Sequence, residues 1–282
     1  LIKLPDIQQE EPRIKIPIKE VGVENVSVPF KLESKYGGFN EIVALVSLRT
    51  SLDYNVKGIS MSRLLLTLKS YLELPLKHKL IKQILEEICI NVESNNSFMK
   101  FVFEIPVKRK SPISDNIFPI YYKCRFEGRL INKENFRFFQ GVQVQYSSYC
   151  PCSAELCKDL SEKGSSGFPH AQRSYANILI ESDLSKYIWL EDIINHVETS
   201  INTLPYPIIK RVDEQELARI AAGNPIFVED AIRAISKNLD SDSRIIDWIV
   251  KCVHEESIHT SEAIAINWKG TNNNGFDGRR FI

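Results

Sequence analysis

The sequence predicts an α+β protein built of two tandem modules that share one element order: strand, strand, helix, helix, strand, strand. Three observations predict it. Apolar residues alternate with period two in eight segments, helical spacing or helix-start signals mark four others, and the order of the two patterns repeats once along the 282 residues. A chain of this length exceeds the usual size of one domain, so two are expected, with a boundary near Asn132: 1–132, then 133–269.

In the first module, alternation marks Arg13 to Leu32 weakly. Glu41 to Tyr54 follows more clearly, with Ile42, Ala44, Val46 and Leu48 on one face. Met61 to Glu73 and Lys79 to Val92 carry helical spacing. In the second of these, Leu80, Ile81, Ile84, Leu85 and Ile88 form a stripe, and Pro75 separates the two segments. Alternation returns at Phe101, Phe103, Ile105 and Val107, and again at Ile120, Tyr122, Cys124 and Phe126.

The second module opens with Phe139 to Tyr149, where Val142, Val144 and Tyr146 alternate with Gln143, Gln145 and Ser147. Arg173 to Glu181 gives its second strand. One helix presents Leu190, Ile193, Ile194, Val197 and Ile201, and a second is expected to open with Asn224 as N-cap and Pro225 at its first position. Arg244 to His254 and Ala263 to Trp268 read as strands. The tail 270–282, rich in Asn and Gly, is expected to be loose.

Lys plus Arg and Asp plus Glu both number 36, so no global charge favours nucleic acid, and an anionic ligand needs a local basic pocket. No apolar run approaches the roughly 18 residues of a membrane span. The start mixes charge, proline and glutamine, unlike a secretory leader, and six sparse cysteines suit reduced thiols in the cytoplasm.

Cys150-Pro151-Cys152-Ser153 follows the clearest strand of the second module, and His170 comes twenty residues after Cys150, just before the next strand. Thiolate, imidazole and carboxylate together suit zinc or another first-row metal, yet C-x-C lacks the two intervening residues of the usual zinc motif. A buried thiol, a redox pair and a surface histidine fit the same spacing. Glu256 and His259 stand three apart in an expected turn, where they suit metal binding, proton relay or simply a solvated hairpin. Asp213-Glu214 and Glu229-Asp230 read alone as ordinary acidic pairs, Glu229 complementing a helix N-terminus. Lys57, Arg63, Arg173, Lys210 and Arg211 sit near loops or helix starts, where phosphate can be held or charge merely solvated.

Taken in order, these segments resemble the GTP cyclohydrolases of type IB: P-D-I-Q near the start, V-G-V, K-G-x-x-M-S-R from Lys57 to Arg63, C-P-C-S at Cys150 and H-x-Q-R-S at His170. N-P-x-F-V-E-D from Asn224 to Asp230 and E-S-I-H from Glu256 to His259 continue the match over nearly the whole chain. The resemblance implies two tandem tunnelling-fold modules, each an antiparallel four-stranded sheet with two helices. It also implies a homotetramer with active sites at subunit interfaces, and conversion of GTP and water to formate and 7,8-dihydroneopterin triphosphate, the first step of folate or related pterin synthesis.

By motif, the resemblance assigns Cys150, His170, Glu214, Glu256 and His259 to a divalent metal, whether zinc, manganese or iron; the place of Glu214 rests on its spacing to Glu229. Cys150, His170, Glu256 and His259 are the implied catalytic residues, and Glu229 the implied anchor of the guanine edge. Lys57, Arg63 and Arg173 are the candidates for the triphosphate. The chemistry is coherent: hydration at purine C8 needs an activated water and a proton supply, and a carboxylate can accept from both guanine N1–H and the 2-amino group.

Three departures from the family pattern stand out. Ile59-Ser60 replaces the expected Thr-His, the loop from Cys157 to Phe168 reads as longer, and Thr260-Ser261-Glu262 replaces an Asn-His-rich run. An archaeal-type relative forming a cyclic phosphate differs by the phosphate it releases. The nitrile reductase of the same fold is disfavoured by the absence of its E-S-K-S-x-K motif. A third reading is a non-catalytic pterin- or purine-binding protein of the same fold, in which the C-P-C segment is structural or redox-active.

Overall fold

A computed structural model describes residues 7–271 and 275–277. Pro5 and Asp6 of P-D-I-Q, and residues 272–274 and 278–282 of the tail, lie outside the described residues. Eight strands are hydrogen-bonded in chain order: β1 (Ile18–Glu33), β2 (Phe39–Leu52), β3 (Ser97–Lys110), β4 (Ile117–Ile131), β5 (Asn135–Tyr149), β6 (Ala171–Ser182), β7 (Ile245–His254) and β8 (Ala263–Trp268). Among the described residues six α-helices accompany these strands: α1 (Met61–Lys69), α2 (His78–Asn91), α3 (Pro151–Glu162), α4 (Leu190–Ile201), α5 (Arg211–Gly223) and α6 (Val228–Asp240). The chain forms two compact units, Leu1–Glu104 with Arg125–Phe139, and Ile105–Cys124 with Gln140–Ile282. No helix among the described residues is long and apolar enough to cross a membrane.

In the first unit, β1 pairs antiparallel with β2 and β2 with β3. Alternation directs Ile42, Ala44, Val46 and Leu48 inward, and they are buried, as are Leu64 and Leu68 of α1 and the predicted stripe of α2. Edge-on aromatic pairs extend this core, Phe103 with Phe126 at 5.2 Å and Phe126 with Phe138 at 5.2 Å between centroids. Gly128 lets α2 lie directly on β4, since a Cβ there would stand 2.4 Å from Ile81 Cγ2. Helix α1 stops at Lys69 rather than Glu73. Residues after it turn back, the Tyr71 amide donating to Leu68 O and the Leu74 amide to Tyr71 O, ahead of Pro75.

In the second unit β6 pairs antiparallel with β7 and β7 with β8. Helices α4 and α6 bury Ile193, Ile194, Val197, Ala231, Ile235 and Leu239. Glu198 of α4, nearly buried, is bonded by Arg109 Nε at 2.9 Å and by the Tyr122 hydroxyl, so the helix is fixed by polar contacts as well. This unit holds two helices more than the predicted pair, α3 and α5, and Cys157 to Glu162, expected as loop, belongs to α3. The last predicted helix begins at Val228 with Phe227 as N-cap, not at Asn224. Asn224 closes α5 instead and donates through Nδ2 to Ile201 O, while the Ile226 amide donates to Tyr149 O at 2.9 Å. Residues 224–226 are thus held out of the helix by bonds to other elements.

The tail segment expected to be loose is tied at three described residues. Asp247, fully buried, accepts from its neighbour's amide at Trp248 and from the amides of Gly270, Thr271 and Phe276 at 2.8–3.2 Å.

Candidate active site

Strand β5 ends where the candidate chemistry begins. Cys150 follows Tyr149 in extended conformation (φ −70°, ψ 122°) and is the N-cap of α3, whose first residue is Pro151. Its amide donates to the carbonyl of His170 at 3.3 Å, which sets the two residues side by side. His170, at the entrance to β6, is held twice more: its amide meets Ser153 Oγ at 3.3 Å, and its Nδ1 lies 2.9 Å from Gln172 Oε1. An amide oxygen only accepts, so Nδ1 carries the proton and the Nε2 lone pair is the one a ligand or substrate proton meets.

Two further backbone bonds bring other motifs to the same strand ends. The Ile226 amide on Tyr149 O fastens the entrance of α6, which carries Glu229, itself exposed, in its first turn. The Glu255 amide donates to Arg173 O at 3.0 Å, so the β7–β8 turn starts beside the first residues of β6. Within that turn Glu256 Oε2 and His259 Nε2 stand 3.5 Å apart, and the His259 amide bonds Glu256 O. Cys150, His170, Arg173, Glu229, Glu256 and His259 therefore sit on segments joined by three main-chain hydrogen bonds.

Glu214 is exposed in the first turn of α5. Its neighbour Asp213 is fully buried and accepts from the amides of Ile113, Ser114 and Lys210 at 2.7–2.9 Å, and from the Ser114 hydroxyl. Burial alone would raise the Asp213 pKa; the bonds from Ser114, Lys210 and Ile113 outweigh it and hold the carboxyl well below the ordinary range.

Lys57 and Arg63 belong to the first unit. Lys57 pairs with Glu10 at 2.6 Å, and its amide bonds Glu10 O, while Gln8 Nε2 donates to the carbonyl of buried Ile59. Gln8 and Glu10 are thus docked on the K-G-I-S segment. Arg63 opens α1, reaches Asn91 O at 3.3 Å, and lines a 230 Å³ cavity with Gln8, Asp53, Ser60 and Glu93.

The donors stand as two pairs, Cys150 with His170 and Glu256 with His259. Among the described residues no three of His, Cys, Asp and Glu are close enough to hold a metal ion. In kind, a thiol, imidazoles and carboxylates fit a first-row divalent metal.

Sequence reasoning missed the polar residues behind the site. His254, the last residue of β7, is buried, with Nε2 3.0 Å from Tyr146 Oη and Nδ1 3.2 Å from Ser148 Oγ; Ser148 in turn meets Ser174 Oγ at 2.8 Å. Burial lowers the His254 pKa to about 4, against the pull of the Glu229 charge. The period-two pattern of β5 did place Ser148 on the inward face with Val144 and Tyr146, and that was the available signal. Gln172 stood in H-x-Q-R-S without an assigned role, and Asp213 read only as half of an ordinary acidic pair.

The model of the type I GTP cyclohydrolase FolE2 family matches residues 4–265. The chain is 33% identical over 273 residues to GTP cyclohydrolase FolE2 of Cereibacter sphaeroides, covering 95% of this chain and 76% of that one. It is 30% identical to GTP cyclohydrolase FolE2 of Thermotoga neapolitana, covering 95% and 98%. Among solved structures, uricase from Arthrobacter globiformis superposes with a TM-score of 0.60 at 5% identity over 93% of this chain and 97% of that one, a likeness of fold alone. That fold is the predicted α+β arrangement of tandem tunnelling-fold modules. With family match, relatives and motif order in agreement, the chain belongs to the type I GTP cyclohydrolase FolE2 family.

Proposed function

We propose that this protein opens the imidazole ring of GTP, releasing formate and forming 7,8-dihydroneopterin triphosphate for folate or related pterin synthesis. The observation that carries the reading is the gathering of the C-P-C-S, H-x-Q-R-S, N-P-x-F-V-E-D and E-S-I-H segments by three main-chain bonds at the ends of β5, β6 and β7. Cys150, His170, Glu214, Glu256 and His259 would hold a divalent zinc, manganese or iron ion. The chemistry such an ion supplies when bound is Lewis-acid activation of the water that adds to purine C8. The two donor pairs of one chain form the core of this site, and we assign the complete site to an interface between copies in a cytoplasmic homotetramer.

The chain's own residues do the rest. Glu229, exposed at the start of α6, accepts from guanine N1–H and the 2-amino group, which fixes the base and rejects adenine. His259 Nε2, oriented by Glu256, hands a proton to purine N7 as the C8–N7 double bond is hydrated. Arg173 at the start of β6 supplies positive charge to the triphosphate, with Lys57 and Arg63 contributed by a neighbouring copy.

The test is to strip the protein with chelator, restore single metals and follow formate and pterin fluorescence from GTP. Product with at least one metal is expected, and none with any metal rejects the reading. Glu229→Gln is expected to raise the GTP KM by about tenfold or more with bound metal unchanged, since a carboxylate acceptor pair becomes one acceptor and one donor. Equal loss of metal would make Glu229 a ligand instead.

A further inference from the structure

Resting on the metal-centre reading above, we propose that His254 is a positioning residue: one buried imidazole clamps together the three strand ends that present the metal-binding residues. The candidate ligands leave the sheet at three places. Cys150 follows the end of β5, His170 precedes the start of β6, and Glu256 with His259 follows the end of β7.

The polar cluster lies just behind each exit. Ser148 is two residues before Cys150, Ser174 four after His170, and His254 two before Glu256. His254 and Ser174 are direct partners across β6 and β7. The imidazole spans to β5 through both nitrogens, Nε2 to Tyr146 Oη and Nδ1 to Ser148 Oγ, and Ser148 closes the triangle onto Ser174. Ser148 and Ser174 are fully buried, and Tyr146 and His254 nearly so.

Such a cluster is a costly way to fill a core, because every polar atom must find a partner and an aromatic or aliphatic side chain would pack without that demand. What it adds is direction. Apolar contacts tolerate small slides between strands, whereas an imidazole bonded at both nitrogens sets distance and angle together. A neighbouring core position, Cys252, pairs with Ala176 on the same face and buries a thiol, so the clamp occupies the last rung of the core before the strands part. The main-chain bonds from Cys150 to His170 and from Glu255 to Arg173 begin immediately beyond it. Losing the clamp leaves those bonds to hold the ligand spacing alone.

The test uses cobalt(II) as a spectroscopic probe on the full chain. His254→Phe keeps a ring and removes both bonds; it is expected to weaken cobalt binding about tenfold and to alter the cobalt absorption bands, as loss of outer-shell support does elsewhere. The GTP KM should change less than kcat. Ile235→Ala, a destabilising change in the core face of α6, is expected to leave cobalt affinity and bands unchanged, which separates positioning from general stability. Should His254→Phe fail to fold, Tyr146→Phe combined with Ser148→Ala removes the partners and keeps the imidazole, with the same expected loss. Wild-type cobalt affinity and bands in any folded clamp variant overturn the proposal. If Cys150→Ala also keeps wild-type cobalt binding, the metal-centre reading falls with it; if Cys150→Ala loses cobalt while the clamp variants do not, only the clamp falls.

Discussion

Helices α4 and α6 each bury a continuous apolar face, whereas α3 buries no residue and α5 only Asp213 and Ala221. The first pair buries apolar residues along its length, α4 with Glu198 bonded to Arg109 and Tyr122 as well. The second pair is held at its first turns by hydrogen bonds: Cys150 to His170 for α3, and Asp213 to Ile113, Ser114 and Lys210 for α5. The helices with little buried surface are those that begin at Cys150 and carry Glu214. Cys150 and Glu214 are thus mounted where polar anchoring at one end leaves the remainder of the helix exposed, whereas Glu229 stands on the apolar-packed α6.

The contrast breaks most visibly in the core. Ile235→Ala, at a fully buried position of α6, is expected to cost about 3 kcal/mol in urea unfolding, through lost transfer energy and the cavity left behind. A cost near zero would mean that α6 does not rely on its apolar face. Next comes the polar anchor: Asp213→Asn puts a donor where Asp213 meets four donors. Amide exchange in the first turns of α5 is expected to speed up by about tenfold or more, with α4 and α6 unaffected. Uniform acceleration in all three would show that α5 is not anchored separately.

A pH effect sharpens the same distinction on the α4 side. Asp242 accepts from Arg244 and lies 2.9 Å from His196 Nε2, and the Arg244 bond, working against burial, holds its carboxyl well below the ordinary range. A depressed carboxyl contributes stability above the unfolded value of about 4 and loses it as pH falls below that. Wild-type stability should therefore fall more steeply than that of Asp242→Asn below about pH 4, measured by thermal unfolding. Parallel curves would remove Asp242 as a source of the slope. The smallest effect is expected in α3, where Leu156 is 66% exposed: Leu156→Ala should change stability by less than about 0.5 kcal/mol.

The same physics decides how much was legible beforehand. The stripes of α2 and α4 were readable because burial imposes a period of 3.6 on apolar residues, and β5 because one buried face imposes a period of two. Helices α3 and α5 left no such trace. Their few buried positions include a carboxylate, and a polar helix has no periodicity to detect; the Pro151 start signal of α3 was present and passed over. Asn224-Pro225 matched a helix start in type, yet Asn224 closes α5 and the bond from Ile226 to Tyr149 holds that segment out of α6. Of the candidate site, the segments carrying Cys150, His170, Glu229, Glu256 and His259 were visible as motifs in order. Their backing by His254 was not, and Gln172 and Ser174 were visible only as letters of H-x-Q-R-S without a role, since a buried polar residue in a strand is written with the same letters as an exposed one.

Asp247, gathering the amides of Trp248, Gly270, Thr271 and Phe276, has one more consequence. Convergent amides of this kind form a receptor for a small anion, and here the chain brings its own, covalently attached. Asp247→Gly would leave the receptor standing and vacant. Acetate or formate in the buffer, each a carboxylate without a chain, should then restore the lost stability in proportion to its concentration, as added ligand does for any protein with an open seat.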